Sequence, residues 1–151
     1  MGMLDIADRS CPVLHRLMGV HTAVYRATGG AIGSSIPGIR AKMLLLDHVG
    51  AKSDTKRTSP LLYIPADDTG DVAIIASKGG HPKSPAWYHN LKANPETTIQ
   101  IGREKRTVRA REATGDERDR LFAEAERSYS GYSDYAERTE RTIPVIVLER
   151  R

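Results

Sequence analysis

Apolar residues recur at helical spacing near the start of the chain. Pro12 follows Cys11, an arrangement that suits the first turn of a helix. The apolar or aromatic positions that then repeat every three or four residues are Leu14, Leu17, Met18, His21, Val24 and Tyr25. Because Gly29 ends the pattern, we predict an N-terminal amphipathic helix over about residues 12–28. This helix either packs against the rest of the domain or contacts a membrane or an apolar substrate.

Beyond residue 40, short apolar runs bounded by turn residues replace the helical spacing, which is the pattern of β-strands. The predicted strands are Met43–Val49, a strand centred on Leu61, Leu62 and Ile64, then Val72–Ala76, Thr97–Ile101, Arg106–Ala113 and Ile143–Leu148. Strands dominate, and only some are joined by tight turns. We therefore predict a mainly β fold with flanking helices (α+β), built as a small antiparallel barrel of about six strands over about residues 41–149.

Two further helices are predicted between the strands. Pro85 opens a short one, and the pair Asn94-Pro95 closes it. Thr114 is followed three residues later by Glu117, which is the spacing of a capping box, so a second helix is predicted over Asp116–Arg127.

The composition is that of a single globular domain spanning residues 1–151. Hydrophobic residues make up 39% of the chain and charged residues 28%, which excludes a disordered chain. The net charge of +4 and the isoelectric point near 9.3 favour an anionic partner. Nucleic acid, acidic lipid, and a phosphorylated or carboxylated small molecule all fit this charge.

The cysteine content and the N-terminus indicate a cytoplasmic protein. Cys11 is the only cysteine, so the chain forms no internal disulfide. The N-terminus carries acidic residues where a signal peptide would be basic, and no apolar run is long enough to span a bilayer. Peripheral membrane association through the N-terminal helix is the alternative.

A glycine-containing segment, Ser77-Lys78-Gly79-Gly80, directly follows the third predicted strand. Glycine lets the backbone approach a ligand closely, and consecutive N–H groups can form an anion-binding nest. Lys78 and Lys83 add positive charge, and the helix that starts at Pro85 adds its positive N-terminal end. The segment is either an anion site or a tight turn with solvated lysines.

A second basic segment, GAKSDTKRTSP, lies between the first two predicted strands. We predict a loop that presents Lys52, Lys56 and Arg57 beside several hydroxyl side chains. Two basic loops at strand ends could hold phosphate and carboxylate groups from both sides. The glycine spacing excludes a Walker phosphate loop, and solvated surface charge is the alternative interpretation.

Tyr129, Tyr132 and Tyr135 recur every three residues, so on a helical or 3₁₀ turn they would share one side. Tyrosine combines an apolar ring with a hydroxyl, and both a pocket wall and core packing fit this pattern. No metal site is predicted, because no histidine pair has suitable spacing and acidic or thiol neighbours, and no nucleophile elbow occurs. Binding groups without an evident catalytic centre are typical of a cofactor-dependent enzyme.

The block IIASKGGHPKSPAWYHNLKANP, with the tyrosine-rich segment and RTIPVIVLE, resembles the deazaflavin-dependent nitroreductase family of actinobacteria. The resemblance runs from the first helix to the last strand. It implies a split β-barrel akin to oxidoreductases that bind flavin mononucleotide (FMN). It also implies a hydride donor, reduced coenzyme F-420, which is an 8-hydroxy-5-deazaflavin with a phosphodiester and an oligoglutamate tail. The implied acceptors are quinones and nitroaromatic compounds.

The resemblance also implies a set of site residues. The positions that match the cofactor site are Lys52, Arg57, Ser59, Pro60, Ala76, Ser77, Lys78, Gly79, Pro85, Trp87, Tyr88, Asn90 and Lys92. Lys52 and Arg57 would face the phosphate and the tail. Tyr129, Tyr132 and Tyr135 match tyrosines at the substrate pocket. One of their hydroxyls, or that of Ser77, is expected to hydrogen-bond the acceptor oxygen that gains negative charge.

Two residues depart from the family pattern. Asp54 stands where glycine is usual, and aspartate tolerates a positive φ better than most residues. Arg138 stands where the nitroreductase has a tryptophan, so a preference for nitroaromatic substrates is not carried over.

The expected function is hydride transfer from reduced F-420 to a quinone-like or nitroaromatic acceptor. The alternatives are an FMN-dependent oxidoreductase of the same barrel class, a non-catalytic deazaflavin-binding protein, and a polyanion-binding module. Nucleic acid is not the expected partner, because single-strand binding would need aromatic rings spread along the basic face.

Overall fold

A computed structural model describes residues 11–31, 42–77, 84–129, 131–137, 139 and 142–151. Its strands are β1 (Lys42–Val49), β2 (Lys56–Pro65), β3 (Val72–Ile75), β4 (Glu96–Ile101), β5 (Glu104–Glu112) and β6 (Val145–Arg150). Its helices are α1 (Cys11–Thr28), α2 (Ala86–Ala93), α3 (Gly115–Ser128) and α4 (Gly131–Glu137). The predicted six-stranded, mainly β fold with flanking helices is therefore confirmed.

The strands close into one antiparallel barrel in the order β1-β2-β3-β6-β5-β4. The β1–β2 ladder pairs all eight residues of β1. By contrast, among the described residues β1 and β4 meet at only two pairs, Leu45↔Gln100 and Leu46↔Ile99. This short ladder, which we call the seam, completes the barrel.

Alternate strand residues point into the barrel and form an interior cluster, to which α2 adds Trp87, Tyr88 and Leu91. The buried members are Leu44, Leu46, Val72, Ile74, Ala76, Trp87, Tyr88, Leu91, Ile99, Val108, Ile146 and Leu148. Cross-strand partners point to the same side of a sheet. Because His48 pairs with Arg57 and has the same alternation as Leu44 and Leu46, His48 and Arg57 lie on the inward side where the β1–β2 ladder ends.

The opposite faces of β2, β3 and β6 pack under α3 and α4 in a second, outer cluster. Its buried members are Ile64, Ala66, Ala73, Ile75, Ala113, Leu121, Phe122, Ala125, Tyr132, Ile143, Val145 and Val147. Two layers thus share the same strands, which explains why β3 is buried at every position.

Helix α1 is anchored to the barrel near its C-terminal end. Tyr25 is fully buried, and its hydroxyl accepts the Gly102 N–H at 2.8 Å. The same oxygen lies 3.1 Å from the Met43 carbonyl oxygen and 3.4 Å from that of Gln100. Leu17 is 62% exposed, so of the two alternatives for this helix, packing against the domain holds at the Tyr25 end, while Leu17 faces solvent. No helix in the described ranges is long and apolar enough to cross a membrane.

Two local predictions are wrong. The basic loop ends earlier than predicted, because Lys56 pairs with Val49 and begins β2, so Lys56 and Arg57 lie in a strand. The capping box does not form: the Thr114 side chain makes no cap hydrogen bond. The Glu117 carboxylate instead accepts two hydrogen bonds from the Arg111 guanidinium, at 2.5 and 2.9 Å.

Candidate functional site

The turn between β1 and β2 is held by its own backbone. The Gly50 N–H donates to the Thr55 carbonyl at 2.9 Å, and the Asp54 N–H donates to the Gly50 carbonyl at 3.0 Å. Asp54 has a φ of 55°, in the left-handed region. The expectation that aspartate would accept the conformation usually given to glycine is therefore confirmed.

A cavity of about 580 Å³ lies between this turn and the first half of α2. The described residues that line it are Gly50, Ala51, Lys52, Ser53, Arg57, Ala86, His89 and Asn90. None of these is acidic. We call this space the basic cavity. It brings together Lys52, Arg57 and Asn90 from the predicted cofactor set.

Lys52 and Arg57 have no ion-pair partner among the described residues, whereas most arginines elsewhere on the barrel are paired with carboxylates. Examples of such pairs are Arg26 with Asp47, Arg106 with Glu104 and Arg150 with Glu104. Two exposed cations that face one cavity, with no carboxylate in its described lining, make that cavity attractive to anions. The donor set therefore suits phosphate or carboxylate groups.

A chain of buried and part-buried hydrogen bonds lies beside the basic cavity. The Ala51 N–H donates to Asn90 Oδ1 at 2.9 Å, and Asn90 Nδ2 lies 2.9 Å from His48 Nδ1. His48 Nε2 in turn lies 2.9 Å from Ser59 Oγ. Burial lowers the pKa of the His48 imidazole below its usual value of 6.5, the nearby Arg57 guanidinium lowers it further, and the Asp47 carboxylate acts in the opposite direction. The imidazole is therefore neutral at physiological pH.

A second cavity, of about 430 Å³, adjoins the other side of Arg57. Its described lining is Asp47, His48, Val49, Lys56, Arg57, Thr58, Thr97 and Thr98. Asp47 Oδ1 is already engaged by Arg26 at 2.7 Å and by the Thr58 hydroxyl at 2.6 Å. Arg57 therefore stands between two cavities that both carry cationic and hydroxyl groups.

The α2 residues of the predicted cofactor set divide between two faces of the helix. Asn90 faces the basic cavity, whereas Trp87 and Tyr88 are buried in the interior cluster. The Tyr88 hydroxyl donates to the Glu112 carboxylate and accepts a hydrogen bond from Lys92 Nζ at 3.4 Å. Among the described contacts, Lys92 is thus engaged with Tyr88 and does not line the basic cavity.

The remaining predicted cofactor residues lie within β2, just before α2 and just after β3. Pro60 and Pro85 are buried, and Pro85 immediately precedes α2. Ala76 belongs to the interior cluster, and its N–H donates to the Pro144 carbonyl. Ser77 follows it and is also buried. Lys78, Gly79 and Lys83 lie outside the described residues, so the proposed nest stays a prediction.

Tyr129 and Tyr132 pack against each other beside α3. The rings of Tyr129 and Tyr132 meet edge to face, with centroids 5.1 Å apart. Tyr132 is only 6% exposed and belongs to the outer cluster, while Tyr129 is half-buried and directly follows α3. Tyr129 precedes α4 and Tyr132 lies on it, and the Tyr132 N–H donates to the Tyr129 carbonyl at 3.2 Å, so a 3₁₀-type turn brings these two tyrosines to one side, as their spacing predicts. The Tyr135 side chain and Arg138 lie outside the described part of the chain.

Sequence reasoning missed His48 as a member of the site. The predicted strand carried the signal, because inward-pointing residues alternate as Leu44, Leu46 and His48. A polar side chain at the last inward position of a barrel strand lies at the mouth of the barrel. Its partner Asn90 is distant along the chain, so local pattern could not reveal the pair.

A closed six-stranded barrel with flanking helices and a basic cavity at its mouth defines a split-barrel protein built for an anionic ligand. Residues 17–150 match the F420H(2)-dependent quinone reductase family, and the chain belongs to this family. The F420H(2)-dependent quinone reductase Rv1261c of Mycobacterium tuberculosis (strain ATCC 25618 / H37Rv) is 45% identical over 139 residues. The match covers 90% of this chain and 91% of that protein.

Solved structures share the fold at substantial identity. An F420-H2 dependent reductase (FDR-A) is 41% identical with a TM-score of 0.64, over 71% of this chain and 93% of that one. A chain described as a domain-swapped dimer is 35% identical with a TM-score of 0.67, over 93% of this chain and 100% of that one. FMN is named in none of these matches, so the FMN alternative gains no support.

Proposed function

We propose that this protein transfers a hydride from reduced coenzyme F-420 to a quinone. The observation that carries the proposal is the basic cavity, where Lys52 and Arg57 face the same space without a carboxylate partner among the described residues. Membership of the F420H(2)-dependent quinone reductase family and the printed activity of its relative Rv1261c support the same reading.

The residues present fit an anionic deazaflavin. Lys52 and Arg57 would hold its phosphate or carboxylate groups, with Ser53 as a hydroxyl donor beside them. Asn90 and His48 keep the turn against α2, so these cations are held in place before the ligand arrives. When bound, reduced F-420 supplies the hydride.

On the acceptor side, the protein's role is to stabilise the oxygen that gains negative charge. Ser77, Tyr129, Tyr132 and Tyr135 are the proposed hydroxyl donors. Tyr129 is half-buried and thus more accessible than Tyr132. Nitroaromatic acceptors are a secondary proposal, to be measured in the same assay.

The test uses protein purified from a host that makes no F-420. We expect a colourless protein that binds added F-420 at low micromolar concentration or below, and that oxidises reduced F-420 when menadione is supplied. FMN titrated in parallel is the matched control. Yellow protein carrying stoichiometric FMN, with no response to F-420, would contradict the proposal. Binding without turnover on any quinone would instead indicate a deazaflavin carrier.

A second proposal concerns α1. Leu17 and Val20 are 62% and 61% exposed, and exposed Arg16 lies on the same helix. We propose that this face contacts the membrane interface, where apolar quinones dissolve. Co-sedimentation with anionic vesicles should fall when Leu17 and Val20 are both replaced by Glu. A loss of dimer on gel filtration with unchanged sedimentation would assign the face to a second copy of the chain.

A further inference from the structure

The hydrogen bonds around Asn90 determine the protonation of His48. Asn90 Oδ1 accepts the Ala51 N–H, which can only donate. The amide is therefore oriented, and Nδ2 must donate to His48 Nδ1. Since Nδ1 is the acceptor, the neutral ring carries its proton on Nε2 and donates to Ser59 Oγ. One tautomer satisfies all three contacts.

This chain of contacts joins elements that carry the cofactor residues. Ala51 precedes Lys52 in the β1–β2 turn, Asn90 lies on α2, and His48 lies at the end of β1. Ala51 and Asn90 both line the basic cavity. Among the described contacts, the Asn90 amide is the side-chain link between the turn and α2. We call it the clamp.

We propose that His48, in its neutral form, is a positioning residue that holds the clamp, so that proton uptake by His48 releases the turn and weakens cofactor binding. The inference rests on the proposed function and adds a control of the same site. A proton on Nδ1 would face the Asn90 Nδ2 hydrogens, so two donors would oppose each other where one bond had been. Restoring the bond would require the amide to rotate, which would break its contact with the Ala51 N–H.

Direct electrostatics predicts that protonation of His48 strengthens cofactor binding, which is the opposite of the effect proposed here. Among the described residues, the charged groups that line a cavity together with His48 are Asp47 on β1 and Lys56 and Arg57 on β2. Lys52 in the turn and His89 on α2 line the basic cavity, which Arg57 also lines. A protonated His48 would add positive charge to this group and should attract an anion more strongly. Release of the turn predicts weaker binding at acid pH, and simple charge predicts tighter binding.

Burial and Arg57 both lower the pKa of His48, so the transition falls below pH 6.5. The tail carboxylates of F-420 ionise at about pH 4.3 and stay charged from about pH 5 to 7.5. Ionisation of the ligand's own 8-hydroxyl in this range affects the wild type and a non-titrating His48 variant alike, so the difference between the two reports on His48.

The experiment begins with the unliganded protein, so that it does not depend on the proposed function. NMR titration follows the His48 ring and the Ala51 amide together. We expect the Ala51 amide signal to move with the same midpoint as His48, and its hydrogen exchange to accelerate at low pH. An Ala51 amide that ignores the titration of His48 would overturn the proposal.

Affinity for F-420 is then measured from pH 5 to 7.5 in the wild type and in matched variants. His48→Asn keeps an acceptor near the position of Nδ1 but does not titrate. Its affinity for F-420 should be close to that of the wild type at about pH 7.5 and should fall less than the wild-type affinity as the pH drops. His48→Leu removes the acceptor and should bind about tenfold more weakly at every pH. As the pH falls, the wild-type affinity should change from that of His48→Asn to that of His48→Leu.

Asn90→Asp provides a test in which acidification no longer sets two donors against each other. Its carboxylate can accept the Ala51 N–H, and it can accept from His48 Nδ1 both in the imidazolium and in the neutral ring with its proton on Nδ1, because the Ser59 hydroxyl can then donate to Nε2. The Ala51 amide should therefore stay protected from about pH 5 to 7.5 in this variant, while its exchange accelerates at low pH in the wild type, a difference that a generally loosened fold would not produce. Wild-type affinity that rises on acidification, in step with His48→Asn, would overturn the proposal. No F-420 binding by any variant would refute the proposed function, while the amide titration would still decide the clamp.

Discussion

The Tyr88 hydroxyl on α2 lies 3.1 Å from both carboxylate oxygens of Glu112 on β5. The ring itself is buried in the barrel interior, and Lys92 approaches both its hydroxyl and its face. The tyrosine thereby fixes α2 to the strand across the barrel. Tyr88 matches a cofactor position by resemblance, yet its described contacts are those of a residue that orients the helix carrying Asn90.

Replacement of Tyr88 by Phe should therefore affect stability more than binding. The ring and its packing stay, and only the hydrogen bond to a solvent-exposed carboxylate is lost. We expect the free energy of unfolding to fall by about 1 kcal/mol, measured by urea denaturation, with F-420 affinity within about twofold of wild type. A large loss of affinity at unchanged stability would place the hydroxyl against the cofactor.

Replacement of Lys52 or Arg57 by Ala should weaken F-420 binding about tenfold each. Each removes a charge-assisted contact, and the exposure of both side chains limits the effect. Lys105→Ala is the matched control, because Lys105 is an exposed lysine that lines a different cavity. Binding by the wild type should weaken with added salt, and the slope should be shallower in the two variants. Equal losses in all three variants would indicate long-range attraction by net charge alone.

Most of the fold could be predicted because the strands are marked by apolar runs and turn residues. The run Met43–Val49 and the turn at Gly102 needed no long-range information. The start of β2 was missed because Lys56-Arg57-Thr58-Ser59 is polar, as a loop would be. It is a strand because it pairs with the end of β1.

The site was only partly accessible from sequence. Lys52 and Arg57 could be proposed from charge, since unpaired cations near strand ends attract anions. The capping box failed for a tertiary reason: Arg111, on the adjacent strand β5, takes the Glu117 carboxylate that the motif requires. The contact of His48 with Asn90 could not be predicted either, because it too is a tertiary contact, which forms only when α2 packs against β1.

The tyrosines can be tested by removing their hydroxyls one at a time. If one of them stabilises charge on the acceptor, its Phe variant should lose on the order of 10²-fold in turnover with F-420 affinity unchanged. Equal, small effects of Tyr129→Phe, Tyr132→Phe and Tyr135→Phe would make them packing residues.

Gly131 supplies a matched variant for Tyr129. A Cβ at this glycine would lie 2.4 Å from the Tyr129 ring. Gly131→Ala should therefore displace the ring while leaving the hydroxyl present. If the position of Tyr129 matters, this variant should lose turnover as Tyr129→Phe does.

The stability of the protein should depend on pH through His48. In the unfolded chain the imidazole takes up its proton near pH 6.5, and in the fold it does so at lower pH. Between these values the unfolded state binds more protons, so the free energy of unfolding falls as the pH drops. Urea denaturation of the wild type should show this loss starting near pH 6.5, whereas His48→Asn should lack it. Glu104 and Glu117, whose pKa values are lowered by hydrogen bonds from Arg106 and Arg111, contribute only below about pH 4.5.

A residue of helix α1, outside the barrel, stabilises the seam between β1 and β4. The seam between β1 and β4 is short, and the Tyr25 hydroxyl reaches from α1 to Met43 on one side of it and to Gln100 and Gly102 on the other. Helix and seam should therefore behave as one cooperative opening unit. Tyr25→Phe leaves the Gly102 N–H without its acceptor. It should increase the rate of amide hydrogen exchange at Leu45 and Ile99 much more than at Val147. A force or ligand that displaces α1 would then open the β1–β4 ladder, while the other ladders of the barrel keep their hydrogen bonds.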